Sequence, residues 1–469
     1  MSAPWMVFRN CAVPFHQFAA VVLTLVLLVA IAFSRRSSAR EAHKRGARII
    51  DGRAAQRRTA RLQLARSQPL ITIGGVGIAP ADEVKHFKLI GTTGTGKSTA
   101  IREMLAVALS RGDRAVITDP DGGYLARFHD CGRGDVILNP FHPHSLQWNP
   151  FAEVRNAYDA EQVASSLIPG SEDASSREWR GYARTFLAAL VRRCHEIGRR
   201  DAGELWRLIA VAPSAELRPI VAGTPAQPFL EPENARMFGS IRSVAGSAAS
   251  ALEHVQAQRT RAFSVRDWVG NGRGVLFLPY QASQIAALRT IIATWVRLAI
   301  FEIMTTCDEG TDRRLWLIVD ELDALGAIDG LKDALARLRK FGGACVLGFQ
   351  SIAQVSSTYG VGEAQTLVEN CSTTLILRCS ASEHGGTSQF ASRLIGEREV
   401  ARRSTSRGRD GSGFPGGRGW RRSTNITEQR VTEAAVLASE LEQLPDLTGY
   451  LKTASSTDWL RVRLQAGDG

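Results

Sequence analysis

Residues 86–110 read HFKLIGTTGTGKSTAIREMLAVALS, and the order of residue types in this stretch decides the fold. An apolar run of strand length, HFKLIG, comes first; AIREMLAVALS, with helical periodicity, comes last; between them Gly91, Gly96, Lys97 and Ser98 have the spacing of a phosphate-binding loop. In such a loop successive backbone N–H groups turn inward around phosphate oxygens, and the glycines permit turns that a Cβ would block. Lys97 then reaches the β and γ phosphates and Ser98 supplies a hydroxyl to Mg²⁺. Thr99 and the helix N-terminus add donors and positive dipole. The candidate nucleotide-binding residues are therefore Gly91, Thr92, Thr93, Gly94, Thr95, Gly96, Lys97, Ser98 and Thr99. A purely structural glycine loop is the bland alternative, and the strand before it and helix after it argue against that.

Working outward, the pattern from residue 70 alternates short apolar runs with longer helical stretches, as parallel α/β domains do. Strands are expected at 86–91, 114–119, 135–139, 274–280, 314–320, 344–350 and 373–379. More than 100 residues separate the third from the fourth, and that interval reads as helical. Trp179, Tyr182, Phe186 and Leu190 mark one helix face there, so an all-α insert over roughly 156–265 is expected to interrupt the core.

The chain of 469 residues is long enough for a large core and an additional domain. Its seven cysteines include no C-x-x-C pair, so the body reads as cytosolic with reduced thiols. The net charge of +12 is concentrated in two places. Residues 35–66 carry +9 and residues 402–422 carry +6, and subtracting both from +12 leaves the remainder at about −3. Bulk charge therefore does not make the folded body a nucleic-acid binder. FHQFAAVVLTLVLLVAIAF (residues 15–33) is about long enough to span a bilayer, and the basic run after it places the rest of the chain in the cytoplasm. A cleavable signal peptide is the rival; a phosphate-loop enzyme has no nucleotide supply outside the cell, and only Arg9 supports an n-region.

Binding a nucleotide is not hydrolysing it, and the stretch LWLIVDELD (315–323) bears on the difference. A buried strand ending in Asp320-Glu321 puts one carboxylate where it can hold Mg²⁺ and the next where it can polarise the attacking water. Gln350, at the end of another strand, offers an amide to the γ-phosphate or the water. Arg339 lies beyond the Asp320 strand, where it cannot serve its own phosphate loop; it is a candidate to complete a neighbour's site, the competing reading being an ordinary surface arginine. An arginine supplied in trans is worth about 10³ to 10⁵ in rate. His142 and His144 have no Cys or acidic cluster beside them and read as solvated loop histidines.

Five motifs in order, GTTGTGKST, AVITDPDGGYLARF, DVILNPFHPHSLQWNPF, IVDELDAL and RKFGGACVLGFQS, with a weaker sixth in LEQLPDLTGYL, make the chain resemble the TraD/TrwB group of conjugative type IV secretion coupling proteins. The resemblance runs from about residue 70 to 380. It implies a RecA-like motor ATPase of the FtsK/HerA kind, an α/β core with a mostly parallel sheet, an inserted all-α domain, and one N-terminal transmembrane helix in a bacterial inner membrane. Six subunits would form a ring with ATP and Mg²⁺ at each interface and single-stranded DNA in the middle. Relaxase and relaxosome proteins would dock on the cytoplasmic side, and channel components of the secretion system would receive the cargo. Carried over by motif, Lys97 and Ser98 hold phosphate and magnesium, Asp320 takes the metal, Glu321 the water, Gln350 the sensor role and Arg339 the interface-arginine role, with Arg378 in reserve.

On this reading the tail and membrane helix occupy 1–34, a basic juxtamembrane segment 35–66, the nucleotide-binding domain 67–155 and 266–400, the all-α insert 156–265, a flexible Arg/Gly/Ser-rich loop 401–426, and a segment returning to the core 427–469. Two departures stand out. The family usually has two membrane spans, and His142 stands where it tends to have an acid. A protein-secretion motor of the same superfamily, or a docking receptor that binds nucleotide without hydrolysing it, are the alternative functions. The arginines and Trp420 of segment 402–422 could contact single strands by charge and stacking, against the simpler reading of a loop without function.

Overall fold

The computed structural model describes residues 42–170, 173–306, 314–382, 386–410 and 421–466. The apolar stretch at 15–33 and Trp420 lie outside them, and no helix among the described residues is long and apolar enough to cross a membrane. The described residues form two compact units, one within 49–395 and 436–466 and one within 42–48, 396–410 and 421–435.

The larger unit is built on a ten-stranded sheet. In chain order its strands are β1 (Ile49–Asp51), β2 (Phe87–Ile90), β3 (Arg114–Pro120), β4 (Val136–Ile137), β5 (Val275–Tyr280), β6 (Leu315–Val319), β7 (Gly343–Phe349), β8 (Thr373–Ile376), β9 (Thr448–Lys452) and β10 (Trp459–Arg463). In space they run β1-β10-β9-β8-β2-β7-β6-β3-β5-β4. From β8 to β4 every neighbouring pair is parallel. Only β9 enters antiparallel, against both β8 and β10. Strands β2, β6 and β7 are buried along their whole length, because helices cover both faces of a parallel sheet, and this is why they read as unbroken apolar runs. The core collects Phe87, Leu89, Ile101, Leu105, Ile117, Phe277, Trp316 and Val346 between the sheet and the helix Lys97–Ser110. All seven expected strands are present, though the last of them, β8, stops at Ile376.

Between β4 and β5 the chain is predominantly helical, with Asp159–Leu167, Ala174–Glu196, Ala202–Ala210, Ser214–Val221, Ala235–Ala248 and Leu252–Gln256. The Asp173 carboxylate accepts from the Ser176 N–H and starts the longest of these. Phe186 and Leu190 are buried on its inner face, Phe186 packing edge-on against Phe238 with ring centres 5.2 Å apart. Tyr182, at the margin of that face, meets Phe229 at 5.6 Å.

Two sequence expectations need correction. Of residues 35–66, read as one basic juxtamembrane segment, 49–64 are part of the larger unit: Ile49–Asp51 forms the edge strand β1 and Arg53–Leu64 is a helix tied to the core, its Thr59 hydroxyl accepting from Gly77 N–H at 2.7 Å, while 35–41 lie outside the described residues. Arg53, Arg57, Arg58 and Arg61 line the exposed side of that helix, which is why a charge count alone suggests a tract apart from the core. Of residues 401–426, read as a flexible loop, 401–410 and 421–426 belong to a long antiparallel pair, Glu397–Asp410 with Arg421–Ala434, flanked by Ala42–Gly46; 411–420 lie outside the described residues. Few of the residues in this ladder are apolar, so no apolar alternation announces it. Cross-strand charges support it instead, as where Arg398 and Arg402 both meet Glu433 at 2.9 and 2.8 Å.

Candidate active site

The phosphate loop begins where β2 ends, at the carboxyl edge of the sheet. Gly94 (φ +77°) and Gly96 (φ +117°) occupy left-handed backbone that L side chains rarely adopt. Gly91 is required for a different reason: a Cβ there would stand 2.9 Å from Leu377 Cβ, at the end of the neighbouring strand. The C-terminal segment cradles the loop from outside, with Leu447 N–H donating to Thr95 O at 3.0 Å. Lys97 is buried, and its ammonium donates to Gly91 O at 2.6 Å and Thr92 O at 3.2 Å, folding back over the loop's interior. Burial pulls its pKa down, while the charges of Asp320, Glu321 and Asp323 push the other way.

Ser98, one residue on, donates to Asp320 Oδ2 at 2.7 Å. The same oxygen accepts from the Tyr124 hydroxyl at 2.7 Å. Tyr124 lies on the short helix Gly123–Phe128, whose first turn is capped by Asp119, accepting from Tyr124 N–H at 2.9 Å and Leu125 N–H at 2.7 Å. Burial raises the Asp119 pKa to about 6 against the pull of those two bonds. Asp320 is 2% exposed, yet its Oδ1 has no hydrogen-bond partner among the described residues. A buried carboxylate oxygen without a donor is costly unless a cation or water satisfies it. Ser98 and Asp320 thus fit a hydrated Mg²⁺, which binds through one or two carboxylates together with phosphate oxygens and water. Among the described residues no group of three or more His, Cys, Asp and Glu could hold a metal unaided. His142 and His144 make only a local contact, His144 N–H donating to His142 Nδ1 at 3.2 Å.

Glu321 and Gln350 complete the cluster. Gln350 donates from its amide nitrogen to Glu321 Oε1 at 3.2 Å and accepts at its amide oxygen from the Thr93 hydroxyl at 2.8 Å, linking the carboxylate to the phosphate loop. Burial first, then the charges of Asp320 and Asp323, raise the Glu321 pKa, and Lys97 and Gln350 oppose the shift. A carboxylate shifted in this direction is a better proton acceptor. The structure therefore brings together Lys97, Ser98, Asp320, Glu321 and Gln350 from the ends of β6 and β7 and the loop after β2.

It does not bring Arg339 there. Arg339 is exposed, in the turn that precedes the first residue of β7, while the phosphate loop follows the last residue of the parallel neighbour β2. The two lie at opposite ends of strands roughly 20 Å long. Arg378 touches the loop through its backbone, its carbonyl accepting from Thr92 N–H at 2.9 Å, while its guanidinium pairs with Asp446 at 2.7 Å. Sequence reasoning missed Asp119 and Tyr124, although both sit in the quoted stretch DPDGGYLARF. The Asp-x-x-Gly-Gly-Tyr spacing, a cap before a short helix, was the available signal.

Comparisons with known proteins agree with one another. The family described as type IV secretion-system coupling protein DNA-binding domain matches residues 70–465. Coupling protein TraD of Escherichia coli K12 is 30% identical over 393 residues, covering 81% of this chain and 52% of TraD. The type IV secretion system-coupling protein VirD4 of Bartonella henselae is 25% identical over 223 residues, 43% of this chain and 34% of VirD4. The match thus spans about half the length of TraD and about a third of VirD4. Among solved structures, the bacterial conjugative coupling protein TrwBdeltaN70 superposes with a TM-score of 0.79 at 32% identity, covering 91% of this chain and 94% of that one. TrwB has also been solved with the ATP analogue ADPNP, at TM-score 0.78, 32% identity and coverages of 91% and 95%, and with ADP and Mg²⁺, at the same TM-score and identity and coverages of 92% and 95%.

Proposed function

This chain belongs to the type IV secretion-system coupling protein family, and from that premise we propose that it is a membrane-anchored, Mg²⁺-dependent ATPase that drives single-stranded DNA from a relaxosome toward a type IV secretion channel. The observation that carries the hydrolase reading is the buried Asp320, held by Ser98 and Tyr124 through one oxygen and left with the other unsatisfied, next to a Glu321 tied through Gln350 to the phosphate loop. A passive receptor would need only the loop. The bound nucleotides of TrwB support ATP and Mg²⁺ as the ligands here.

Each residue then has a defined task. The loop amides of Gly91–Thr99 and the Lys97 ammonium bind and orient the phosphates, Lys97 exchanging its bonds to Gly91 O and Thr92 O for phosphate oxygens. Ser98 and Asp320 hold the Mg²⁺, which supplies charge neutralisation between the β and γ phosphates. Glu321 accepts the proton of the attacking water. Gln350, bonded to both Glu321 and Thr93, senses whether the γ-phosphate is present. Arg339 completes the site of an adjacent copy in a homo-hexamer, so hydrolysis in one subunit moves it against the next. An N-terminal span anchors this ring in the bacterial inner membrane with the ATPase body in the cytoplasm, facing relaxase and channel partners.

The test is ATP turnover by the full chain in detergent, with and without single-stranded DNA. Turnover that rises with DNA, vanishes in Lys97→Ala, and in Glu321→Gln gives way to ATP bound without hydrolysis is the expected result. Stimulation by a polypeptide cargo and not by DNA would instead indicate a protein-secretion motor. Binding without turnover in the wild type would leave only a docking receptor.

A further inference from the structure

Strand β5 ends at Tyr280, beside the end of β3: Tyr280 is in register with Pro120, and its carbonyl accepts from Asp121 N–H at 2.8 Å. The side chain is 4% exposed, and its hydroxyl has no partner among the described residues. A buried hydroxyl left unsatisfied is costly, so such a group is informative about what surrounds it. It faces acids. The hydroxyl is within electrostatic reach of Glu321, Asp320, Asp323 and Asp119, and burial together with these negative charges keeps the phenol protonated far above its ordinary range. Of the same acids, Asp323 also carries a buried oxygen without a donor, its Oδ1, while the free Oδ1 of Asp320 is the one left to Mg²⁺.

A donor with nothing to give to, the Tyr280 hydroxyl, and an acceptor with nothing to accept from, Asp323 Oδ1, thus belong to the same carboxyl edge as Glu321. Water is complementary to that pair, since its oxygen accepts one proton while its two hydrogens are donated, one to Asp323 and the other to Glu321. We propose that Tyr280 and Asp323 are positioning residues for hydrolysis, the tyrosine hydroxyl donating to the attacking water and the Asp323 carboxylate accepting from it, so that a lone pair points at the γ-phosphorus while Glu321 takes the proton. The inference rests on the hydrolase reading above. The balance is simple. Water loses one proton to Glu321, its oxygen forms the new bond to phosphorus, and the bond to the ADP oxygen breaks; Tyr280 and Asp323 are unchanged at the end.

The experiment measures affinity of the full chain for ADP and for ADP–aluminium fluoride, which fills the place of the transferring phosphoryl group and its water, alongside kcat and KM. Tyr280→Phe keeps the ring and removes only the hydroxyl. The expected result is unchanged ADP affinity, ADP–aluminium fluoride binding weakened at least about tenfold, and kcat lowered by a similar factor at constant KM. Asp323→Asn reads the second residue independently should Tyr280→Phe fold poorly, with the same split expected. Equal loss of both affinities would make these residues structural and overturn the inference, as would wild-type binding of both ligands in both variants. If the wild type gains nothing from aluminium fluoride and shows no turnover, the hydrolase reading falls and takes this inference with it. If the wild type gains and the variants gain equally, this inference alone falls.

Discussion

His86 shows how much a single side chain can be asked to do before the phosphate loop begins. It is buried in left-handed backbone (φ +59°), its Nε2 donating to Leu335 O at 2.8 Å and its Nδ1 accepting from Cys345 N–H at 3.2 Å. Only the neutral ring can do both. Burial, with a smaller contribution from the nearby Arg339 charge, lowers its pKa to about 4, opposing the bond to Leu335. An unfolded imidazole takes its proton near 6.5, so between about 6.5 and about 4 the unfolded chain binds more protons than the folded one. The stabilisation is complete above that window and falls as the pH drops through it, by an amount on the order of 3 kcal/mol. His86→Gln can keep both hydrogen bonds without titrating. Urea midpoints of this variant are expected to change less than wild type between pH 6.5 and 4, and parallel curves would refute the assignment. The turn from β2 through Gly94 and Gly96 into the helix at Lys97 was legible from sequence because it lies in one local run of backbone. The Asp119 cap of the Tyr124 helix is local too, but the contact of Tyr124 with Asp320 and the place of Tyr280 come only from strands that the fold sets side by side.

At the scale of elements, the carboxyl edge works only if neighbouring strands approach closely. Gly348 in β7 lies against the end of β6, where a Cβ would stand 2.2 Å from the Asp320 carbonyl oxygen, and its own carbonyl accepts from Leu322 N–H at 2.9 Å. Gly348→Ala must therefore displace the backbone that carries Asp320 and Glu321. The expected cost is roughly 1–3 kcal/mol of stability, together with weaker binding of ADP and Mg²⁺. Gly362→Ala, in the helix Val361–Asn370 with nothing within 4 Å of its added Cβ, is the control and should leave both unchanged or slightly raise stability. A Gly348→Ala protein with wild-type melting and ADP affinity would show that the strand tips are looser than their spacing implies. The same contrast explains what the sequence revealed of the elements. Buried parallel strands such as β6 and β7 read plainly as apolar runs bounded by glycine and acids. The short edge strand β1 has only three residues, and the Glu397–Asp410 and Arg421–Ala434 ladder is composed mostly of polar residues, so neither carries a periodic signal.

At the scale of the whole molecule, the separation of Arg339 from the phosphate loop makes a prediction about assembly. Among the described residues the hydrogen bonds of Lys97, Ser98, Asp320, Glu321 and Gln350 involve no arginine side chain, and Arg339 stands exposed at the other end of the sheet. If copies pack in a ring so that the amino edge of one sheet meets the carboxyl edge of the next, each site needs Lys97 from one chain and Arg339 from its neighbour. Lys97→Ala and Arg339→Ala should each abolish turnover alone, for different reasons: the first loses its own phosphate ligand, the second deprives the adjacent copy. Mixed and allowed to exchange subunits, the two inactive proteins should regain activity. Every Arg339→Ala chain that faces a Lys97→Ala chain forms a site with an intact loop on one side and an intact guanidinium on the other. In a random equal mixture about one interface in four is of this kind, so a fraction of wild-type turnover on the order of a quarter is expected when neighbouring sites act independently, and less when they must fire in sequence. No recovery in mixed rings shown by mass to contain both chains would place Arg339 outside the site. Recovery that appears only above a threshold protein concentration would tie the chemistry to assembly itself.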